Sequence, residues 1–248
     1  MKKPKIAIAF FGLIRHGPST HASLVQNVFR VLDRANYDYD TYCHTYDKRF
    51  ISNPRSGEKN HEIKNVAHYA NLLGQCGKAI DTQPDMDTSP YTAHGDPWKD
   101  GFKSLHNLLC QLRSLKAVTA LWAGAASTYS AVLYLRSDLV YSDPLDIHSL
   151  CWVCHGAKRR EMRIVAPFWH ACNGLNDRLA LGTPAAMLRY GRRGDHAQQY
   201  ASHSALHSES FLLHHMRAVN AKIRFTPQRA LRVRANGRIE PADKALYY

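Results

Sequence analysis

The run Tyr129–Pro144 (YSAVLYLRSDLVYSDP) constrains this chain more than any other stretch. Ala131, Val132, Leu133 and Leu135, flanked by Tyr129 and Tyr134, form a short continuous apolar run with β-branched and aromatic content. A strand that is half exposed to water alternates apolar and polar residues, so an unbroken run points to a strand buried on both faces. It stops abruptly at Arg136-Ser137-Asp138, and Asp143-Pro144 closes the segment. Ligands of open α/β sheets sit outside the C-terminal ends of the strands, where this cation and carboxylate would emerge. The plainer alternative is that two polar residues mark where the strand leaves the core.

The flanking sequence supplies strands and helices in alternation. Lys5–Phe11 (KIAIAFF) reads as a first strand, Gly12 as a turn and Leu13–Pro18 as a loop. Ser19 or Thr20 is suited to cap a helix whose Leu24, Val25, Val28, Phe29 and Leu32 share one face. Such a helix start accepts phosphate. The chain has neither GxGxxG nor GxxxxGK[ST], which disfavours the dinucleotide-fingerprint and P-loop classes. Tyr37–His44 reads as a second strand and the polar Lys48–Asn60 as a loop, followed by a helical spacing at Ile63, Val66, Ala67, Ala70 and Leu73. Gly77–Thr82 is a short strand, and Pro84–Pro97, with three prolines and Gly95, is a candidate lid or linker. The leucine stripe of Phe102–Trp122 predicts a long helix covering the sheet. Arg163–Pro167 is a strand, and the loop Phe168–Asp177 leads to Arg178–Gly182. Thr183-Pro184 opens a helix, Ser208-Glu209 opens another, Ala221–Thr226 returns as a strand, and Gln228–Arg238 is a basic tail. The pattern predicts an α/β fold with a mainly parallel central sheet and helices on both faces.

Charge narrows the partners. The 248 residues carry 33 Lys and Arg against 20 Asp and Glu, a formal +13 before any of 15 His protonate. Such a chain favours polyanions, anionic membrane faces or phosphorylated small molecules. The clusters Lys158-Arg159-Arg160, Arg189 with Arg192-Arg193, and Arg229/Arg232/Arg234/Arg238 would suit a nucleic-acid track. No aromatic RNP-like strand, zinc-finger spacing or helix-turn-helix pattern accompanies them, so nucleic acid is disfavoured. The alternation of Arg232 and Arg234 puts both on one face of an extended segment, suited to gripping a diphosphate or an anionic polymer. No stretch reaches the roughly 18 apolar residues of a membrane span, and Pro4, Lys5 and Arg15 interrupt the apolar N-terminal run. The expectation is a cytoplasmic protein with its six cysteines reduced.

Three groupings invite chemistry. Cys151-Trp-Val-Cys154-His155 matches the haem-attachment pattern and, with His170 and Cys172, a possible zinc staple. The first needs an export signal and the second an unusual His-x-Cys half, so two ordinary thiols are the simpler reading. Of His203, His207, His214 and His215, the last two point to different faces of a helix, and at most one of the four has a chemical role. Carboxylates are scarcer than cations, which makes Asp138, Asp177 and Glu209 informative. A glycosyl transfer needs a carboxylate to hold a divalent cation against a donor diphosphate, and an inverting one needs a base for the acceptor hydroxyl. Each of the three could equally be structural, Glu209 by favouring its own helix dipole.

In order and spacing, AIAFFGLIRH, YDYDTYCHTYD, the leucine helix leading to YSAVLYLRSDLVYSDPL, and NDRLALGTPAAMLRY followed by HSESFLLHHM resemble a family of GT-A-like glycosyltransferases found in bacterial polysaccharide loci and large DNA viruses of algae. These stretches span Ile6 to about Arg224. The resemblance implies a single Rossmann-like GT-A domain over residues 1–248, with a nucleotide-binding half to about 145 and an acceptor-side half beyond it. It implies a nucleotide-sugar donor, a glycan acceptor, and Mn²⁺ or Mg²⁺ with Asp138 and His207 as candidate ligands. Gly12 and Arg15 would lie at the nucleotide, Arg136 and Asp138 at the DxD position, Asp177 on the acceptor side, and His207–Glu209 would close the site. Asp177 or Glu209 would be the base. The chain departs from the pattern in carrying Arg136 where the first Asp would stand, and Arg136 itself could neutralise diphosphate charge. A basic polyanion-binding protein with the zinc staple is the alternative.

Overall fold

The computed structural model describes residues 3–53, 56–155 and 160–245. Strand β1 (Lys5–Phe11) sends Ile6, Ile8 and Phe10 into one core and Ala7, Ala9 and Phe11 into another, which is why its sequence shows no alternation. Helix α1 (Gly17–Leu24) continues through a π-helical turn, Val25–Phe29, into α2 (Arg30–Arg34). Its cap is His16, not Ser19 or Thr20: the His16 Nδ1 accepts from the Ser19 N–H at 3.4 Å, and Pro18 fills the first turn without a donor to lose.

Strands β2 (Asp38–Asp47) and β5 (Gly77–Thr82) extend the sheet on one side of β1. Between them lie a hairpin, β3 (Phe50–Asn53) and β4 (Glu58–Glu62), and helix α3 (Val66–Leu73). The expected Lys48–Asn60 loop is therefore a hairpin, held by Ile51 against Ile63 and Val66. The long helix α4 (Lys103–Ala123) covers β1, β2 and β5 as its leucines required. Its first turns also carry the Pro84–Pro97 segment, which packs Met86 and Tyr91 against Leu105, Leu108 and Leu109.

Strand β6 (Ala131–Arg136) lies beside β1 and is buried as expected. The chain then leaves the main sheet, and β7 (Leu139–Tyr141) pairs with β11 (Ala230–Arg232) in a small antiparallel sheet. Helix α5 (Ile147–Cys154), β8 (Arg163–Pro167), β9 (Leu179–Gly182), α6 (Pro184–Gly191), α7 (Ala197–Ala201), α8 (Ser208–Ala218) and β10 (Lys222–Thr226) complete the fold. Lys158 and Arg159 of the expected basic cluster lie outside the described residues.

The seven-stranded sheet runs β10-β8-β9-β6-β1-β2-β5. It is mainly parallel, β9 alone running against its neighbours β6 and β8. The α/β expectation is met. One face carries α1, α2, α3 and α5, and the other α4, α6 and α8. Each fully buried Ile, Leu or Phe contributes about 1.5–3 kcal/mol, so these two layers supply most of the stability. Among the described residues no helix is long and apolar enough to cross a membrane.

Candidate active site

The ends of several strands and the tail of the chain converge at one edge of the sheet. Phe11, the last residue of β1, sits opposite Arg136, the last of β6. Gly12 follows at φ 90°, a left-handed conformation that a side chain would strain, and its N–H donates to Ser114 Oγ of α4 at 2.8 Å. Because β9 is reversed, its N-terminal end reaches the same edge, bringing Asp177 and Arg178 there, and the Arg136 N–H donates to the Arg178 carbonyl at 3.2 Å. The start of α8 is fixed from the loop before β9: the Leu175 N–H donates to the Glu209 carbonyl at 3.0 Å. Gly174 lies so close that a Cβ there would sit 2.0 Å from that carbonyl oxygen. The basic tail crosses last, with the Val233 N–H donating to the Asp138 carbonyl at 2.9 Å.

These elements enclose a cleft with two arms. The wide arm, about 640 Å³, is lined by Arg15, Arg136, Asp138, Asp177, Arg178, Glu209, Arg232 and Arg234, with Trp98, His170, Cys172 and His207 around them. The narrow arm, about 130 Å³, lies at the ends of β1, β2 and β5 and is lined by Gly12, Leu13, Tyr46, Lys48, Gln83 and Cys110. Arg15, Arg136, Asp138, Asn107 and Gln111 border both. The sequence-derived candidates Gly12, Arg15, Arg136, Asp138, Asp177, His207 and Glu209 thus all line one connected cleft.

Arginines dominate the wide arm, and buried carboxylates tie them together. Asp138 takes a two-pronged bond from Arg136, Nε to Oδ1 at 3.0 Å and Nη2 to Oδ2 at 2.8 Å, with Arg15 Nε 3.5 Å from Oδ2. Burial alone would raise the Asp138 carboxyl, but the Arg136 and Arg15 charges outweigh it and hold it at about 2. Asp243, whose side chain is fully buried, joins Arg178 at 3.0 Å to Arg232 at 2.7 Å and is likewise held at about 2. Glu58 joins Arg15 at 2.6 Å to Arg234 at 3.9 Å, and Glu240 pairs with Arg234.

The two candidate bases differ sharply. Asp177 Oδ2 accepts from Gln111 Nε2 at 2.6 Å and from Ser208 Oγ at 2.5 Å, and its Oδ1 lies 3.9 Å from Arg136 Nη1. Burial pushes its carboxyl up, but the Arg136 charge and the Ser208 bond outweigh that and lower it. Glu209, half-buried, has less compensation. Desolvation, then the charge of Asp177, raises its carboxyl to about 8. Its Oε2 lies 3.3 Å from His207 Nδ1, and the His207 ring stacks on Trp98 with centroids 5.2 Å apart.

No protein-family model matches the chain, and no curated protein matches it. Among solved structures the chain is similar to mouse xyloside xylosyltransferase 1 in its apo form, with a TM-score of 0.44 and 11% identity over 90% of this chain and 85% of that one.

The expected cation site at Asp138 and His207 does not fit the side chains. Both Asp138 oxygens are occupied by the Arg136 fork, and His207 faces Glu209. Among the described residues no three His, Cys, Asp or Glu are grouped to hold a metal. A divalent ion about 4 Å from the Arg136 charge would meet about 8 kcal/mol of repulsion at an effective dielectric near 20. The zinc staple fails the same test. Cys151 and Cys154 lie on α5, the Cys154 thiol pushed up to about 12 by burial, whereas Cys172 lines the cleft and the His170 ring meets the Ala245 carbonyl at 3.1 Å.

Arg178, Glu58, Asp243, Gln111, Trp98 and the narrow arm's Tyr46, Lys48 and Gln83 were not singled out from sequence. Arg178 follows Asp177 directly and could have been read as part of the same strand end. Glu58 and Asp243 carry no local signal, since Arg15 and Arg178, to which they bind, lie far along the chain.

Proposed function

We propose that the chain is a glycosyltransferase that moves a sugar from a nucleotide-diphosphate donor to a glycan acceptor. The observation that supports this most is a raised carboxyl, Glu209, lining the same cleft as five arginines. The narrow arm suits the nucleoside: Tyr46 is part of its lining, and Lys48 and Gln83 offer polar groups beside the turn at Gly12. The diphosphate then lies towards Arg136, Arg232 and Arg234, and the sugar in the wide arm before Glu209. In the reaction the acceptor oxygen bonds to the anomeric carbon and the bond from that carbon to the diphosphate oxygen breaks. The acceptor proton passes to Glu209, and the charge left on the diphosphate is taken up by the guanidinium groups. Asp177 is the positioning group, its charge raising the basicity of Glu209 while Gln111 and Ser208 hold it still.

The test is a screen of nucleotide sugars for transfer or donor hydrolysis, followed by Glu209→Gln. That variant is expected to lose about 10²–10⁴-fold in kcat with donor affinity retained. Wild-type kcat/KM should rise with pH and level off above about 8, because the base must be ionised. Near-native turnover in the variant would count against the assignment.

A further inference from the structure

The clash between the DxD expectation and the side chains has a consequence that deepens the glycosyltransferase reading and rests on it. We infer that the chain binds its donor diphosphate without a divalent cation, through a frame of five arginines in which Arg15 and Arg178 supply N–H groups to the phosphates.

Three observations carry this. First, the position where a cation would be held is filled by a cation of the protein's own, since Arg136 occupies both oxygens of Asp138. Second, the arginines are tethered by shared carboxylates: Asp138 serves Arg136 and Arg15, Asp243 serves Arg178 and Arg232, and Glu58 serves Arg15 and Arg234. Each guanidinium has five N–H groups in a rigid fork, so five of them carry far more donors than these carboxylates accept. The remainder is fixed in place around the cleft, in the planar geometry that matches phosphate oxygens. Third, among the described residues two of those buried donors make no hydrogen bond: Arg178 Nη1, and Arg15 Nε, which has only a long 3.5 Å approach to Asp138 Oδ2; both side chains line the wide arm. A buried N–H without a partner is costly, and a phosphate oxygen drawn in beside it removes that cost on binding.

The shared tethers also make the idea testable in a folded protein. Removing Arg15 leaves Glu58 with Arg234, and removing Arg178 leaves Asp243 with Arg232, so neither change strands a buried carboxylate. The experiment titrates UDP, GDP, CDP, ADP and dTDP into the full chain by calorimetry, first in EDTA and then in Mn²⁺ or Mg²⁺. At least one is expected to bind in EDTA with an affinity within about threefold of that measured with the cation. Arg15→Gln and Arg178→Gln should each weaken that binding about 10–100-fold, the loss of a charge-assisted bond, while still melting cooperatively. Binding that appears only with the cation would overturn the inference and leave the glycosyltransferase reading standing. So would EDTA-resistant binding that neither variant weakens. If none of the five binds in either condition, the glycosyltransferase reading falls and the inference with it. The EDTA comparison uses the native protein, so it decides even where a variant misfolds.

Discussion

The two arms of the cleft are built by different means. The narrow arm follows from the sheet: parallel strands β1, β2 and β5 end together, and the residues just past their ends, Gly12, Lys48 and Gln83, line it as a matter of topology. Beyond the residues it shares with the wide arm, Lys48 is the charged group of its described lining. The wide arm follows from side chains drawn from the reversed strand β9, the start of α8, the hairpin and the tail, and is held by ion pairs that include two between segments distant in sequence, Arg15 with Glu58 and Arg178 with Asp243. One arm is a product of backbone arrangement, the other of electrostatics. They should therefore respond differently to substitution and to pH.

The largest contrast is expected from Asp138→Ala. It leaves the Arg136 and Arg15 charges buried without their shared carboxylate, and losing one partner of a buried pair costs about 3–5 kcal/mol, readable as a lower urea midpoint. A loss near zero would mean that the wide arm is not held by its ion pairs.

Acid titration gives the next effect. The Asp243 carboxyl is held at about 2 against an ordinary 3.8, so its stabilising contribution is complete above about pH 4 and is lost as pH falls towards 2. That contribution is roughly 2–3 kcal/mol. Asp243→Asn should flatten this limb of the melting profile, and an unchanged limb would remove Asp243 from the tethers.

The smallest effect belongs to the narrow arm. Among the described residues Lys48 makes one hydrogen bond, to Gln83 at 2.8 Å, so Lys48→Ala should move stability by no more than about 0.5 kcal/mol while raising the donor KM severalfold. A stability loss comparable to that of Asp138→Ala would erase the distinction between the arms.

Much of the fold was readable in the residues. The unbroken apolar runs of β1 and β6 mark central strands because no other arrangement buries both of their faces, and the leucine stripe of α4 marks a helix lying on them. Arg136 and Asp138 could be named because strand ends in such sheets meet at one edge, and Gly12 and Arg15 from the family resemblance. The hairpin at 50–62 carries no periodic signal because, among the described residues, its buried core is Ile51, Ile63 and Val66. The expected cation ligands Asp138 and His207 met a different limit. Sequence places Arg136 two residues from Asp138, but not the folding of that guanidinium back onto both oxygens.

What the sequence determined by itself is the layering: which segments are buried on two faces, which on one, and hence an α/β sheet with polar residues delivered to its edge. Those are local properties, fixed by the period of apolar residues along the chain. The tertiary structure alone decided the state of the charges. Reversal of β9 set Asp177 and Arg178 beside Arg136, and the tail brought Arg232 and Asp243 to them. Whether a carboxylate there is a tether like Asp138 or a raised, proton-accepting group like Glu209 depends on which charges stand within a few ångströms, and that distance is not written in chain order.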